Sequence, residues 1–144
     1  MIADSPNFGV AHWWLGVSLR EKHKYQQAIQ EWKTNAQMDG DKNDAEITAA
    51  LEAGFRSGGW PGALRKGIEV RLAQRKAKAG YVSPFQIAQY YADLGDKDHA
   101  FECLTTAYQE RDIWLTSLPT EPRIDSLRSD PRYAELVRKI GFLH

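Results

Sequence analysis

The run Asp39-Gly40-Asp41-Lys42-Asn43-Asp44 carries oxygen-bearing side chains at alternate positions, which is how a calcium-binding loop begins. The rest of such a loop is missing. Asp44 stands where the sharp turn needs glycine, and Ala50 stands where a bidentate glutamate would close the site. A solvated turn ending in an Asn43 helix cap accounts for the same residues. The four histidines, His12, His23, His99 and His144, fall on separate segments with no i, i+4 pair, so no zinc geometry is written into one helix. Cys103 is the single cysteine; its one basic helical neighbour is His99, four residues back, and it is expected to be a buried structural thiol. No glycine-rich phosphate loop, HExxH, GxSxG or GxGxxG is present. These residues argue against catalysis, a metal or an organic cofactor, and leave binding as the expected role.

Charge narrows the partner. Arg65, Lys66, Arg71, Arg75, Lys76 and Lys78 face a single acid, Glu69, within one stretch, whereas residues 39–52 hold five acids and one lysine. A basic helix can grip phosphate backbones or a membrane surface. Here Ala63, Leu64, Ile68 and Leu72 recur at helical spacing and are expected to form the buried stripe, which makes the basic residues a solvated outer face. Over the whole chain 19 basic residues balance 19 acidic ones, so no net field favours nucleic acid. A length of 144 residues with 42% apolar content suits one domain. A single cysteine forms no internal disulfide, no apolar run approaches the ~20 residues of a membrane span, and Met1-Ile2-Ala3-Asp4-Ser5-Pro6 lacks the regions of a signal peptide. The expectation is a soluble protein, or a soluble piece of a longer one, in the cytoplasm, or in the periplasm for a membrane-anchored parent.

The elements that position these residues come from an internal repeat at an offset of 72. Leu15, Leu19, Ala28 and Trp32 match Ile87, Tyr91, Ala100 and Leu104, with Gly16 on Ala88 and Asn35 on Ala107. Between them Ala50-Leu51, Phe55, Gly58, Trp60, Ala63 and Ile68 follow the same pattern, with Gly54 and Gly67 where larger residues are usual. Capping signals agree: Ser83-Pro84-Phe85-Gln86 and Asn43-Asp44-Ala45-Glu46 open helices, Asp96 opens another, and Leu94-Gly95 closes one. The predicted helices are 7–21, 25–38, 44–56, 60–78, 84–94 and 97–110. From Ile113 onward Pro119 and Pro122 break any long helix, until Asp130-Pro131 opens a short one at 131–140 with Tyr133, Leu136, Val137 and Ile140 on one face and Gly141 as its stop.

Trp14-Leu15-Gly16-Val17-Ser18-Leu19, Tyr25-Gln26-Gln27-Ala28-Ile29 and Trp32 resemble the tetratricopeptide consensus, in which small residues such as Gly16 and Ala28 let two antiparallel helices approach while Leu15, Leu19 and Trp32 fill the flanks. His12 and Asn35 depart from it, standing where the consensus has tryptophan and alanine. The resemblance implies an all-α solenoid of three helix pairs (6–40, a degenerate 44–80, and 83–112). An irregular C-terminal closure over 113–144 would then cover the last apolar stripe with Trp114, Leu115, Leu118, Ile124 and Leu127. Tyr81-Val82-Ser83-Pro84-Phe85, Leu94-Gly95-Asp96-Lys97, Glu110-Arg111-Asp112 and Leu127-Arg128-Ser129-Asp130-Pro131-Arg132-Tyr133 are similar to the C-terminal tetratricopeptide region of bacterial multidomain regulators, including winged-helix regulators, serine/threonine kinases and cyclases.

In that family the first helix of each pair lines a concave groove, which here implies a protein or peptide ligand on Val10, Trp13, Val17, Arg20 and Glu21, on Thr48, Glu52, Phe55 and Arg56, and on Phe85, Gln89 and Asp93. Val17 and Gln89 occupy places where the chaperone-binding members use asparagine to clamp a terminal carboxylate, so that activity is not expected. The 7–21 helix is apolar around much of its circumference, through Phe8, Val10, Trp13, Trp14, Leu15, Val17 and Leu19. This gives a second expectation, stacking on preceding repeats of a longer parent or on a second copy of the chain. A small enzyme or ligand-binding domain is the third, and would need an enclosed pocket with a perturbed acid, base or thiolate.

Overall fold

Ser83, Gly95, Asp96, Asp130 and Gly141 fall at helix ends as the sequence predicts, and among the described residues the chain holds helices and no strand. The computed structural model describes residues 8–78 and 80–141, in the order α1 (Phe8–Glu21), α2 (Tyr25–Asp39), α3 (Lys42–Ala77), α4 (Pro84–Leu94), α5 (Lys97–Glu110), 3-10 segments at Ile113–Ser117 and Pro122–Leu127, and α6 (Pro131–Ile140). They gather into two compact units, Met1–Gln74 and Arg75–His144.

In the first unit α1 and α2 are antiparallel neighbours across a short turn, where His23 takes a left-handed conformation (φ 61°) and the Lys24 N–H returns to Leu19 O at 2.8 Å. Gly16 sets their closeness. A Cβ there would lie 2.4 Å from Trp32 Nε1, so glycine lets the indole rest on α1 and donate to Trp13 O at 3.2 Å. The space over Gly16 is thus filled by Trp32 and not by Ala28, and Leu15, expected between the helices, is 47% exposed.

α3 is two arms joined at Gly58 (φ −145°, ψ 17°) and Gly59 (φ 66°, ψ −158°), whose backbone angles are not helical. Pro61 then sits in the first turn of the second arm, where its missing N–H costs no hydrogen bond. The arms run antiparallel. Gln74 Nε2 donates to Asn43 O and Glu46 Oε1, both at 3.1 Å, while at the other end Gly54 and Gly62 meet backbone to backbone. A Cβ on Gly54 would lie 2.4 Å from Gly62 O, and one on Gly62 would lie 2.5 Å from Gly54 O. Gly54 and Gly62 are therefore the residues that let the arms touch.

Two further expectations need correction here. Asp41, not Asn43, caps the first arm: its Oδ1 accepts the N–H groups of Asn43 (2.8 Å) and Asp44 (3.2 Å). Leu72 is 44% exposed, and the buried stripe of the second arm runs through Ala63, Leu64, Gly67, Ile68 and Gln74 together with Arg71, expected on the solvated face. Hydrogen bonds decide this rotation, because Gln74 and the Arg71–Asp44 pair (3.5 Å) must face the first arm.

The second unit has a continuous core. Phe85, Ala88 and Ala92 of α4 pack with Ala100, Phe101, Leu104 and Ala107 of α5, and Leu115, Leu118, Ile124, Leu127, Leu136 and Val137 close the cluster. Small residues on both helices allow the close approach, and Gly95 (φ 84°) ends α4 in the left-handed conformation glycine adopts freely. The 3-10 repeat of three places Leu115 and Leu118 inward together, which turns Trp114 outward at 47% exposure against expectation. Asp112 ties the start of α4 to the turn after α5, its buried carboxylate accepting from Ser83 Oγ, the Phe85 N–H (3.2 Å) and the Trp114 N–H (3.0 Å). α6 is held by Arg132, which bonds Asp98 (2.9 Å) and lies 4.5 Å over the Phe101 ring.

Candidate functional site

Several residues expected to face a ligand are buried. Val17 and Arg20 of α1 and Thr48 of α3 lie inside the first unit, and Phe85 and Gln89 of α4 inside the second. Three of them have local work that explains their direction. Arg20 pairs with Glu21. Thr48 Oγ1 donates to the carbonyls of Asp44 (3.0 Å) and Ala45 (3.1 Å), and Phe85 belongs to the core cluster. Trp13 is half-buried and meets Trp14 edge-on at 4.8 Å, Asp93 is half-buried, and Glu21 is exposed. The Val10 side chain lies outside the described residues.

Glu52, Phe55 and Arg56 do come together, because positions i, i+3 and i+4 share one face of a helix. They form one wall of a cleft of about 470 Å³. The opposite wall is α2, through Gln26, Gln27, Ile29 and Gln30. Ile29 is buried and Phe55 half-buried, so the floor is apolar; the three glutamines and Arg56 are exposed at the rim. Among the described residues no side chain or backbone group is hydrogen-bonded to those three glutamine amides. Glu52 is shared by two cations, Lys33 Nζ on Oε2 (3.3 Å) and Arg56 Nη2 on Oε1 (3.4 Å), while the Arg56 side chain stays 73% exposed. The volume falls in the ~300–1,000 Å³ range of ligand sites.

The α2 side of this cleft was not foreseen. First-helix positions alone leave α2 out, and its signal in the sequence is the run Gln26-Gln27-Ala28-Ile29-Gln30, rich in uncharged amides where a solvated helix face would ordinarily carry charge.

Other chemically capable groups are occupied. Burial pushes the Cys103 thiol up to about 11, so it stays protonated at neutral pH. In the acidic turn Asp39 accepts the Asp41 N–H (2.8 Å), Asp41 caps α3, and burial, helped by the Asp39 side chain, raises Asp44 to about 6. Among the described residues no group of three or more His, Cys, Asp and Glu is placed to hold a metal ion, and no helix is long and apolar enough to cross a membrane. No family model, no curated protein and no solved structure matches the chain.

Proposed function

We propose that the chain is a non-catalytic interaction module that holds a peptide segment of another protein in the cleft between α2 and the first arm of α3. The observation that carries this reading is the composition of that cleft: an apolar floor of Phe55 and Ile29 beneath a rim of three unengaged glutamine amides. An extended peptide carries backbone donors and acceptors along its edges, and a glutamine amide can satisfy either kind. In the same reading α1/α2, the two arms of α3, and α4/α5 are tetratricopeptide-type pairs, the tail from Ile113 is their closure, and the whole is an appendage of a bacterial regulatory protein that needs no cofactor. The antiparallel pairing inside each unit and the glycine-permitted helix contacts support it. The site differs from the one implied by the family, since it uses the second helix of one pair with the first helix of the next.

The test is selection from a displayed library of random peptides on the immobilised chain, followed by affinity measurement. Selected peptides are expected to lose at least tenfold in affinity for Phe55→Ser and to compete with one another. Equal binding by wild type and Phe55→Ser would remove the cleft from the account. A second reading, self-association through α1, is favoured by one observation: Trp14 and Leu15 are 57% and 47% exposed on adjacent positions. A concentration-dependent dimer lost in Trp14→Ser would establish it.

A further inference from the structure

The charges around the cleft specify more than its shape does. Glu52 is its one acidic lining residue, and both of its carboxylate oxygens are already engaged, one by Lys33 and one by Arg56. Lys33, from α2 beside the cleft, and Arg56 share that one carboxylate, so the Lys33–Glu52–Arg56 cluster carries one positive charge more than negative. The excess sits at the rim, because Arg56 makes a single long contact of 3.4 Å and keeps most of its guanidinium in solvent. A guanidinium presents donors in a fork that fits a second carboxylate bidentately. A lysine-bearing segment, in contrast, would have to displace Lys33 or Arg56 from Glu52 before finding a partner, and would meet their repulsion first.

We infer that the cleft takes an acidic peptide segment, in which a carboxylate bonded to Arg56 stands beside an apolar side chain seated on Phe55 and Ile29. The inference rests on the reading of the cleft as a peptide site. In an extended chain alternate residues share a face and stand about 7 Å apart, so the apolar residue and the acid belong at positions i and i+2. The glutamine amides take the backbone between them.

The experiment uses the full chain and three fluorescein-labelled nine-residue peptides, three repeats each of Leu-Ser-Glu, Leu-Ser-Gln and Leu-Ser-Lys, read by fluorescence anisotropy. The expected result is that the glutamate peptide binds at least tenfold more tightly than the lysine peptide. Raising salt from low to moderate strength should narrow the gap. Arg56→Glu should invert the order and Arg56→Gln should abolish it, while circular dichroism stays unchanged because the side chain is exposed. Phe55→Ala should weaken all three peptides. If the glutamine or lysine peptide binds wild type as tightly as the glutamate one, the acidic specificity is overturned and the peptide site stands. If none of the three binds, the peptide site falls with it. A dimer by light scattering that Arg56→Glu dissolves would make a second copy of the chain the occupant and overturn both.

Discussion

The two units solve the same packing problem in opposite ways. In Arg75–His144 the helix starts are fixed by side chains, with Ser83, Asp96 and Asp130 accepting backbone N–H groups and Asp112 and Glu121 opening the 3-10 segments. Its interior is a filled cluster from Phe85 to Val137. In Met1–Gln74, α2 begins at Lys24 without a side-chain cap, and two helix contacts depend on there being no Cβ at Gly16, Gly54 and Gly62. Aromatic rings do much of the filling, as where Tyr25 stacks on Trp60 at 4.5 Å. The second unit is held by volume and caps, and the first by close approach. Close approach fixes the backbones while leaving side chains such as Gln26, Gln30 and Arg56 unengaged or nearly so at the surface, which is where a ligand can be recognised.

The contrast sets how each unit should break. Removing volume should damage the second most: Leu104→Ala, fully buried in its core, is expected to cost about 2–5 kcal/mol by denaturant titration. A loss under 1 kcal/mol would mean that the cluster is loosely packed. Adding volume should damage the first: Gly54→Val, set against Gly62 O and Ala63 Cα, is expected to cost about 1–3 kcal/mol. A neutral effect would show that the α3 arms can separate freely and would blur the comparison.

Acid should separate the units by sign. In the second, Asp130 is lowered to about 2 by Arg132 side-chain and backbone hydrogen bonds, Glu110 is lowered by Arg75, and Asp96 by the His99 N–H. Carboxylates whose folded pKa is depressed stabilise above their unfolded pKa and lose that stability as pH falls through the folded value, so this unit should weaken from about pH 4 down to about pH 2. Asp44 is raised to about 6, chiefly by burial. The folded first unit therefore holds that proton more tightly than the unfolded chain, and its stability should decline as pH rises from about 4 to 6. Denaturation followed by tryptophan emission in Trp114→Phe reads the first unit alone, since the remaining tryptophans, 13, 14, 32 and 60, all belong to it. Asp44→Asn should flatten that slope, and a slope of the same sign in both units would contradict the assignment. The smallest effect is expected at Trp14→Ser, within about 0.5 kcal/mol of wild type, because the ring is mostly exposed.

Much of this architecture was legible because its signals are local. Ser83-Pro84, Asp96, Asp130-Pro131, Gly95 and Gly141 act within one helical turn, and each stands where the sequence places a helix end. The tail's Leu115, Leu118, Ile124 and Leu127 were also recognisable, since prolines exclude a helix and apolar spacing does the rest. What was hidden is tertiary. Gly54 and Gly62 gain meaning only when α3 folds back on itself, and Leu72 is displaced from the interior by bonds that Gln74 makes to Asn43 and Glu46, about thirty residues away. Asp41 and Asn43 are both good capping residues two positions apart, so the choice depended on the backbone between them. The site shared this fate. A face assigned from repeat geometry put Phe85 and Gln89 outward although they are buried, while exposed glutamines on α2 leave no periodic trace.

The central claim, that the α2/α3 cleft is the place of recognition, is tested most directly by NMR titration of the ¹⁵N-labelled chain with the leucine-serine-glutamate peptide. The account requires the side-chain amide signals of Gln26, Gln27 and Gln30 and the backbone signals around Phe55 and Arg56 to shift in a saturable way, with the α5 and α6 signals unmoved. Saturable shifts confined to α4–α6, with the glutamine amides silent, would contradict it.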